Sequence, residues 1–375
     1  VQRPANEVID EALAWLEKKK DGKFFAWIHL YDPHTPYAPP EPFKSQYPQS
    51  PYLGEIAFTD SQLARLWDYL GQNGLRDRLF LVFAADHGES LGEHGAGSHG
   101  FFIYQAALHV PLVVVTPFRQ LQGVTSAETV ALADIMPTIL EMSGLPAPPQ
   151  VQGQSLVPSF FRPRSSTDRL VYSETYYPRY HFGWSDLRSV QDGRYKLILA
   201  PVPELYDLER DPGEGKNLVY LEKAAFEDLS ARAQALTEEA GRNALEVDVS
   251  KVDEETREKL AALGYIGSFT DSSKLGGKTL ADPKDKITVF NRLAQARETG
   301  LGGAPEEAIQ MIRSIIAEDP DISDAHFSLA TSITKLNGTR KPWSPSRSPS
   351  ISSPTIPSPS STSPTRSRRS DGPRR

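Results

Sequence analysis

The chain has 375 residues, of which 39% are hydrophobic and 24% charged, and it contains no cysteine. That length suits two or three domains with packed cores, and the absence of cysteine excludes disulfides, thiolate metal sites and a cysteine nucleophile. The net charge of −7 combines +7 on Arg340 to Arg375 with −14 on the rest. An acidic body argues against a nucleic-acid partner.

Helices alternate with strands over the first part of the chain. Apolar residues at helical or strand spacing predict helices at residues 6–20, 52–70 and 131–143 and buried strands at 24–31, 79–85 and 110–115. Five prolines between Pro33 and Pro42 predict an extended loop after the first strand. This order is typical of an α/β fold with a layered mixed sheet between helices.

The pattern changes after Gly153. Short strand-like runs at 170–173 and 195–200 and the turn Asp192-Gly193 predict a small antiparallel subdomain. Residues 223–263 are charged and helical without a strong apolar stripe, which indicates a linker or bracing helix. Residues 286–338 form helical pairs that resemble tetratricopeptide repeats. Only about one and a half repeats are present where three are normally needed, so the array is expected to be truncated.

The C-terminal tail has a different composition, with 12 Ser and 8 Pro among its last 36 residues. Such a segment cannot bury a core and is expected to be disordered. It is either an Arg/Ser-rich binding tail or the product of a reading frame lost near Gly338, and the break inside a helical pattern favours the second. The predicted organisation is 1–160 core, 161–222 subdomain, 223–281 helical linker, 282–338 truncated repeats and 339–375 tail.

Six of the eight histidines lie between His29 and His109, and this clustering is the strongest functional signal. Asp86 and His87 directly follow a predicted strand, at the sheet edge where α/β proteins bind ligands. A carboxylate and an imidazole suit Ca²⁺, Mn²⁺ or Zn²⁺, although two ligands are not a complete site. The alternative is an ordinary strand-to-loop turn in which the Asp is a cap.

Two further histidines are candidates for catalysis. His34 enters a rigid proline loop, where it could bind an anion or protonate a leaving group. Asp32 either orients His34 or caps the loop, and His29 is expected to be a core residue. His99, in a glycine-rich loop, is a better site candidate than His94 or His109, which are expected to be loop or packing residues.

The ordered motifs resemble those of the sulfatases, in the alkaline phosphatase superfamily. The resemblance covers about residues 1–220 and rests on the strings H-x-x-DPHTPY from His29, ADHGE-x-LGEHG from Ala85, HGFFIY-x-x-x-LHVPL from His99, ADIMPT from Ala133, DGRYKLI from Asp192 and ELYDL from Glu204. The fold implied is the alkaline-phosphatase-like sheet, incomplete here. The string LAALGYIG from Leu260 and the helices after it resemble bacterial-type sulfatase-like proteins with C-terminal tetratricopeptide repeats.

The resemblance implies hydrolysis of sulfate esters with a divalent metal, usually Ca²⁺, with Mn²⁺ or Zn²⁺ as alternatives. Asp86 and His87 match the late metal-ligand pair of the family, and His34 matches its substrate-binding histidine. His99 falls near the position of a sulfate-binding lysine. His34 and His99 would therefore bind sulfate and protonate the leaving alkoxide. The family is often exported, so an exported or membrane-associated bacterial-type protein is expected.

The nucleophile of the family is not found in this sequence. Sulfatases use a formylglycine made from Cys or Ser in a C/S-x-P-x-R motif, and this chain has neither form. The aspartate pair that supplies the other metal ligands is also absent. Together with a first residue, Val1, that is not Met, this predicts that an N-terminal portion is missing and that the 375 residues alone are inactive.

Two other functions remain open at this point. A phosphodiester or phosphonate monoester hydrolase, or a phosphoethanolamine-type transferase, would share the DHG element at Asp86. A non-catalytic scaffold would use the helical repeats to bind a protein partner, since such arrays present concave surfaces. Metal binding distinguishes the scaffold from the enzymes, and the nucleophile distinguishes the enzymes from one another.

Overall fold

The computed structural model describes residues 3–161, 169–242 and 280–336. The predicted disordered tail, the LAALGYIG string and most of the predicted linker lie outside these residues. Within them, no helix is both long and apolar enough to cross a membrane, and the predicted export or membrane association stays a prediction.

Two helices form the N-terminal layer. Helix α1 spans Ala5–Lys19 and the longer α3 spans Pro51–Gln72, with the short α2 at Phe43–Gln46 between them. The apolar stripes of α1 and α3 face each other and bury Ile9, Leu16, Leu66 and Leu70. The backbone N–H of Ala5 donates to the Asp32 carboxylate at 2.7 Å. Asp32 therefore caps helix α1, which is neither of the two roles considered for it from the sequence.

The prediction of a buried strand at residues 24–31 is wrong. This segment forms no strand pairing within the described residues. Phe24, Ile28 and Leu30 pack against α1 and α3, whereas Phe25 is 70% exposed and Trp27 84% exposed. The segment is covered only in part, and His29 is exposed, so it is not the expected core histidine.

The two central strands pair with each other in an antiparallel ladder. Strand β1 is Leu81–Ala84 and β2 is Leu112–Val115, with the short helix α4, Gln105–Leu108, between them. Phe83 pairs with Val113 and both are exposed, so the strands are half-buried rather than buried. Both sheets in the described residues are antiparallel, and the expected mixed sheet is not found in that part of the chain.

The region after β2 begins with a helix that the sequence predicted. A 3₁₀ turn at Leu132–Asp134 leads into helix α5, Ile135–Met142, and helix α6 follows at Val157–Phe161. Asp134 is fully buried, where its carboxylate accepts from the backbone N–H groups of Ala131 and Gln154. The Asp134 carboxylate therefore connects Ala131, just before helix α5, to Gln154, in the segment that follows it.

The antiparallel subdomain is present as predicted. Its strands follow one another across the sheet in chain order and are β3 Val171–Thr175, β4 Leu187–Gln191, β5 Tyr195–Leu199 and β6 Glu204–Asp207, with helix α7 Tyr177–Phe182 after β3. The Asp192 carboxylate accepts from the N–H groups of Arg194 and Tyr195 and closes the β4–β5 turn. Helix α8, Lys223–Arg242, buries Leu229 and Ala233 with residues of this sheet, so it braces the subdomain.

Three helices form the C-terminal unit. They are α9 Ile287–Leu301, α10 Pro305–Glu318 and α11 Ser323–Leu336, and they lie within residues 286–338, for which the sequence predicted helices. Leu293 of α9 and Ile312 of α10 belong to the same buried cluster as Phe101, Phe182 and Trp184. The C-terminal unit therefore shares a hydrophobic core with the rest of the molecule. Its likeness to tetratricopeptide repeats stays a prediction.

Candidate active site

The turn after strand β1 carries Asp86 and His87. It requires glycine at position 88, because a Cβ there would lie 2.2 Å from the carbonyl oxygen of Ala106. The N–H of Gly88 donates to the carbonyl of Ala107 at 2.8 Å. The turn is thus held against helix α4, and this close approach fixes the direction in which His87 leaves the strand.

Substituting this glycine is expected to destabilise the protein. Gly88→Ala is expected to lower the free energy of unfolding by about 1–3 kcal/mol, because the methyl group overpacks a backbone contact. Gly97→Ala is the control, since a Cβ at Gly97 has no atom within 4 Å. Urea unfolding of both variants measures the difference, and equal stability of the two would contradict the packing at Gly88.

Three histidines from distant parts of the sequence meet at this turn. The ring of His99 stacks on that of His87 with centroids 3.9 Å apart. The ring of His34 also lies edge-on to that of His99, with centroids 5.2 Å apart. The structure therefore brings together His34, His87 and His99.

Each of the three rings is fixed through Nδ1. The Nδ1 atoms of His34 and His87 lie 2.7 and 2.8 Å from the carbonyl oxygens of Thr35 and Gly88. His99 Nδ1 lies 3.1 Å from a carboxylate oxygen of Glu89. A carbonyl or carboxylate oxygen only accepts, so these contacts are hydrogen bonds when Nδ1 carries the proton and the neutral ring has its lone pair on Nε2. The Tyr31 hydroxyl also lies 2.8 Å from His34 Nδ1. In that tautomer all three rings keep Nε2 as the unprotonated nitrogen.

Glu89 orients His99 and was not predicted as a site residue. Its side chain is 4% exposed and also accepts a hydrogen bond of 2.7 Å from the Tyr37 hydroxyl. Burial raises the pKa of Glu89, but the hydrogen bonds from His99 and Tyr37 outweigh it and hold the pKa below its ordinary value. Glu89 therefore remains a carboxylate. The sequence feature that could have identified Glu89 is its place in the ADHGE string, two residues after His87.

A second buried carboxylate, Glu55 on helix α3, holds the proline loop. Its two oxygens accept from the backbone N–H groups of His34 at 3.0 Å and Ala38 at 2.6 Å. Burial raises the pKa of Glu55 even though both donors favour the charged form. The sequence signal was its position on the buried stripe of α3 with Phe58. Glu55 thus anchors the backbone of His34 to a rigid helix.

The predicted metal ligands supply only part of a site. The Asp86 side chain is 75% exposed, and one of its oxygens lies 3.8 Å from His87 Nε2. Nδ1 of His87 bonds a carbonyl, which is the outer contact typical of a metal-binding histidine. The described residues contain no group of three or more His, Cys, Asp or Glu that could hold an ion. Asp86 and His87 alone do not make a complete metal site.

The other histidines lie apart from the cluster. His94 has a left-handed φ of 51° and stacks on Tyr104, and His109 is exposed beyond α4. His181 of α7 bonds Asp324 of α11 in the C-terminal core. His94 and His109 thus lie outside the cluster that contains His99.

Comparison with known families covers most of the described residues. Residues 3–145 match the family model described as Sulfatase. Residues 92–240 match the model described as N-sulphoglucosamine sulphohydrolase, C-terminal. The histidine cluster lies in the first match, and the C-terminal helices lie outside both.

Individual relatives agree with these matches. An arylsulfatase of Clostridium perfringens is 24% identical over 293 residues, which are 63% of this chain and 60% of that protein. Arylsulfatase K of Bos taurus is 28% identical over 183 residues, 44% of this chain and 32% of that protein. This chain therefore spans between about a third and three fifths of these curated relatives.

Solved structures show the same fold. A candidate sulfatase of Bacteroides fragilis superposes with a TM-score of 0.57 at 20% identity, over 63% of this chain and 59% of that one. The phosphonate monoester hydrolase of Agrobacterium radiobacter gives 0.55 at 22% identity, over 63% and 60%. The α/β fold is thus shared with these two solved structures.

Proposed function

From the matches to the models described as Sulfatase and N-sulphoglucosamine sulphohydrolase, C-terminal, we propose that this chain is a sulfatase-family protein and forms part of a metal-dependent sulfuric ester hydrolase. The observation that carries the proposal is the cluster of His34, His87 and His99 beside Asp86, with the ring centroids 3.9 and 5.2 Å apart. Within this cluster, His34 and His99 offer two cationic donors to one anionic group when their rings are protonated.

His34 and His99 have the catalytic roles in this proposal. With Nδ1 tied to an acceptor, each ring takes up a second proton at Nε2 and becomes an imidazolium. That cation attracts the sulfate oxygens and can give its Nε2 proton to the leaving alkoxide oxygen as the ester bond breaks. Glu89 stabilises the imidazolium of His99 because its carboxylate lies 3.1 Å from Nδ1.

A divalent cation would supply Lewis-acid polarisation of the sulfate. We assign Asp86 and His87 as two of its ligands, and Ca²⁺ as the ion implied by the family resemblance, with Mn²⁺ and Zn²⁺ as alternatives. Because these two donors are not a complete site, the remaining ligands must come from elsewhere in the enzyme. We propose the same for the nucleophile, since the 375 residues contain no cysteine.

An assay in two arms tests this proposal. We expect the 375-residue chain with Ca²⁺ to hydrolyse an aryl sulfate no faster than its His34→Ala/Asp86→Ala variant. In a longer protein that includes the nucleophile segment, His99→Ala is expected to lower kcat/KM at least about a hundredfold. His326→Ala is the control there, because His326 is exposed on α11 and bonds the Pro320 carbonyl. Turnover by the short chain, or full activity of His99→Ala, would contradict the proposal.

A phosphonate monoester hydrolase is the second candidate. It is favoured by the TM-score of 0.55 to the Agrobacterium radiobacter enzyme. A sulfate monoester and a phosphonate monoester both place an anionic tetrahedral group among the histidines. The ratio of kcat/KM for an aryl sulfate to that for an aryl phosphonate, measured on the longer protein, decides between them.

A further inference from the structure

The loop that carries His99 contacts helix α9 of the C-terminal unit. The side-chain amide of Asn291 donates to the carbonyl oxygen of Gly95 at 2.7 Å. The oxygen of Gly95 only accepts, so the donor must be the NH₂ group of Asn291. Side-chain carbons of Ile287 lie 3.7 and 3.8 Å from the position that a Cβ of Gly95 would occupy. Helix α9 therefore makes a polar contact with Gly95, and the Ile287 side chain lies close beside the same residue.

The same helix also holds the other end of the segment. The ring of Phe290 stacks on that of Phe101 at 4.2 Å between centroids, and Phe101 is fully buried. Gly95 lies four residues before His99 and Phe101 two residues after it. Two adjacent residues of α9 thus contact the chain on both sides of His99.

The loop itself has a conformation that depends on outside contacts. Four of its residues have a left-handed φ, namely Gly92, His94, Gly95 and Gly100. Glycine has the largest conformational entropy to lose on folding, so a glycine-rich loop needs contacts from its surroundings to keep one conformation. Within the described residues, the side chain of Asn291 provides such a contact from outside the loop.

Helix α9 is in turn fixed to the body of the protein. Arg297 of α9 pairs with Asp324 at 2.7 Å, and Asp324 also bonds His181 of α7 at 2.8 Å. Lys286, just before α9, pairs with Asp319 at 3.1 Å, and Asp319 accepts from the Trp184 indole. The face of α9 toward the body is occupied by these contacts and by the loop, so a protein partner cannot dock on it.

We propose that Phe290 and Asn291 are positioning residues that hold the His99 loop against the histidine cluster. The C-terminal helices, which lie beyond both family matches, would then be an integral support of the site. A role for these contacts in catalysis rests on the proposed function, because His99 takes part in catalysis only if the histidine cluster is the active site. The structural part stands without it.

Two adjacent substitutions with the same change of charge test the proposal in the 375-residue chain. Asn291→Asp keeps the shape of the side chain but removes the donor to Gly95. Arg292→Gln also changes the charge by −1, and Arg292 pairs with Glu318 of α10 instead of the loop. Hydrogen exchange of residues 92–104 and the imidazole ¹⁵N resonances of His99 are measured in both, with thermal unfolding recorded alongside. Phe290→Leu tests the second contact without removing all of the apolar volume.

For Asn291→Asp we expect exchange at residues 92–100 to rise about five- to tenfold, the effect of losing one hydrogen bond. We also expect the His99 resonances to shift while those of His181 stay in place. Arg292→Gln is expected to change neither. Unaltered loop exchange and His99 resonances in Asn291→Asp, or equal changes in Arg292→Gln, would overturn the proposal. Both readouts report the structure of the loop and need no turnover. They therefore support or overturn this proposal whether or not the proposed function is correct.

Discussion

Lys196→Met is expected to lower the free energy of unfolding by about 3–5 kcal/mol, because it leaves a buried carboxylate without its cation. Lys196 Nζ lies 2.7 Å from Glu214 Oε1, and the two side chains are 0% and 1% exposed. Burial lowers the pKa of Lys196, and the charge and hydrogen bond of Glu214 oppose this. The second oxygen of Glu214 accepts from the N–H of Gln105, so the pair joins the subdomain to helix α4.

Urea unfolding measures this effect. Lys20→Met is the matched control, because Lys20 pairs with Glu17 near the surface and such pairs contribute about 0–1 kcal/mol. The double variant Lys196→Met/Glu214→Leu is expected to regain part of the lost stability, since no unpaired charge then remains buried. A loss below about 1 kcal/mol for Lys196→Met would show that the buried pair is not formed.

Phe101→Ala is expected to cost about 3–5 kcal/mol, the usual range for removing a buried aromatic ring. The ring of Phe101 packs against Phe182, Trp184 and Phe290, from helix α7, the residues before β4 and helix α9. One cavity at this point should therefore weaken the subdomain and the C-terminal helices together. The predicted boundaries 161–222, 223–281 and 282–338 treat these regions as separate domains, and the expected coupling tests that prediction.

Hydrogen exchange under increasing denaturant tests this coupling. We expect the amides of strands β4 and β5 and those of helix α9 to lose protection at the same urea concentration. Phe101→Ala is expected to lower that concentration for the strands and for the helix alike. Phe327→Ala on α11 is the control, because Phe327 is 59% exposed and surface changes are usually within about 0.5 kcal/mol. Separate transitions, with only one shifted, would support independent domains instead.

Local patterns were sufficient to predict many of the elements. Helices α1 and α3 follow from apolar residues repeating at helical spacing, and their observed ends lie within two residues of the predicted ones. The Asp192-Gly193 turn was predicted from its two residues and is closed by the Asp192 carboxylate. These features depend on interactions between residues close in sequence, which is why the sequence predicts them.

The exposure of residues 24–31 could not be predicted in this way. A continuous apolar run indicates a strand covered on both faces, yet Trp27 is exposed while Ile28 packs against the helices. Whether a face is covered depends on elements distant in the sequence. The same reason explains why the burial of β1 and β2 was overestimated.

The sequence by itself indicated the similarity to sulfatases and the α/β class and singled out His34, Asp86, His87 and His99 as candidates, because these depend on residue type and on order along the chain. Only the tertiary structure decided which groups position these residues. Glu89 bonds the ring of His99, Glu55 accepts from the backbone N–H of His34, and Asn291 donates to Gly95 in the loop that carries His99. Asn291 lies 196 residues from Gly95 in sequence. A contact across that separation exists only because a shared hydrophobic core brings helix α9 to the loop, and no local pattern records it.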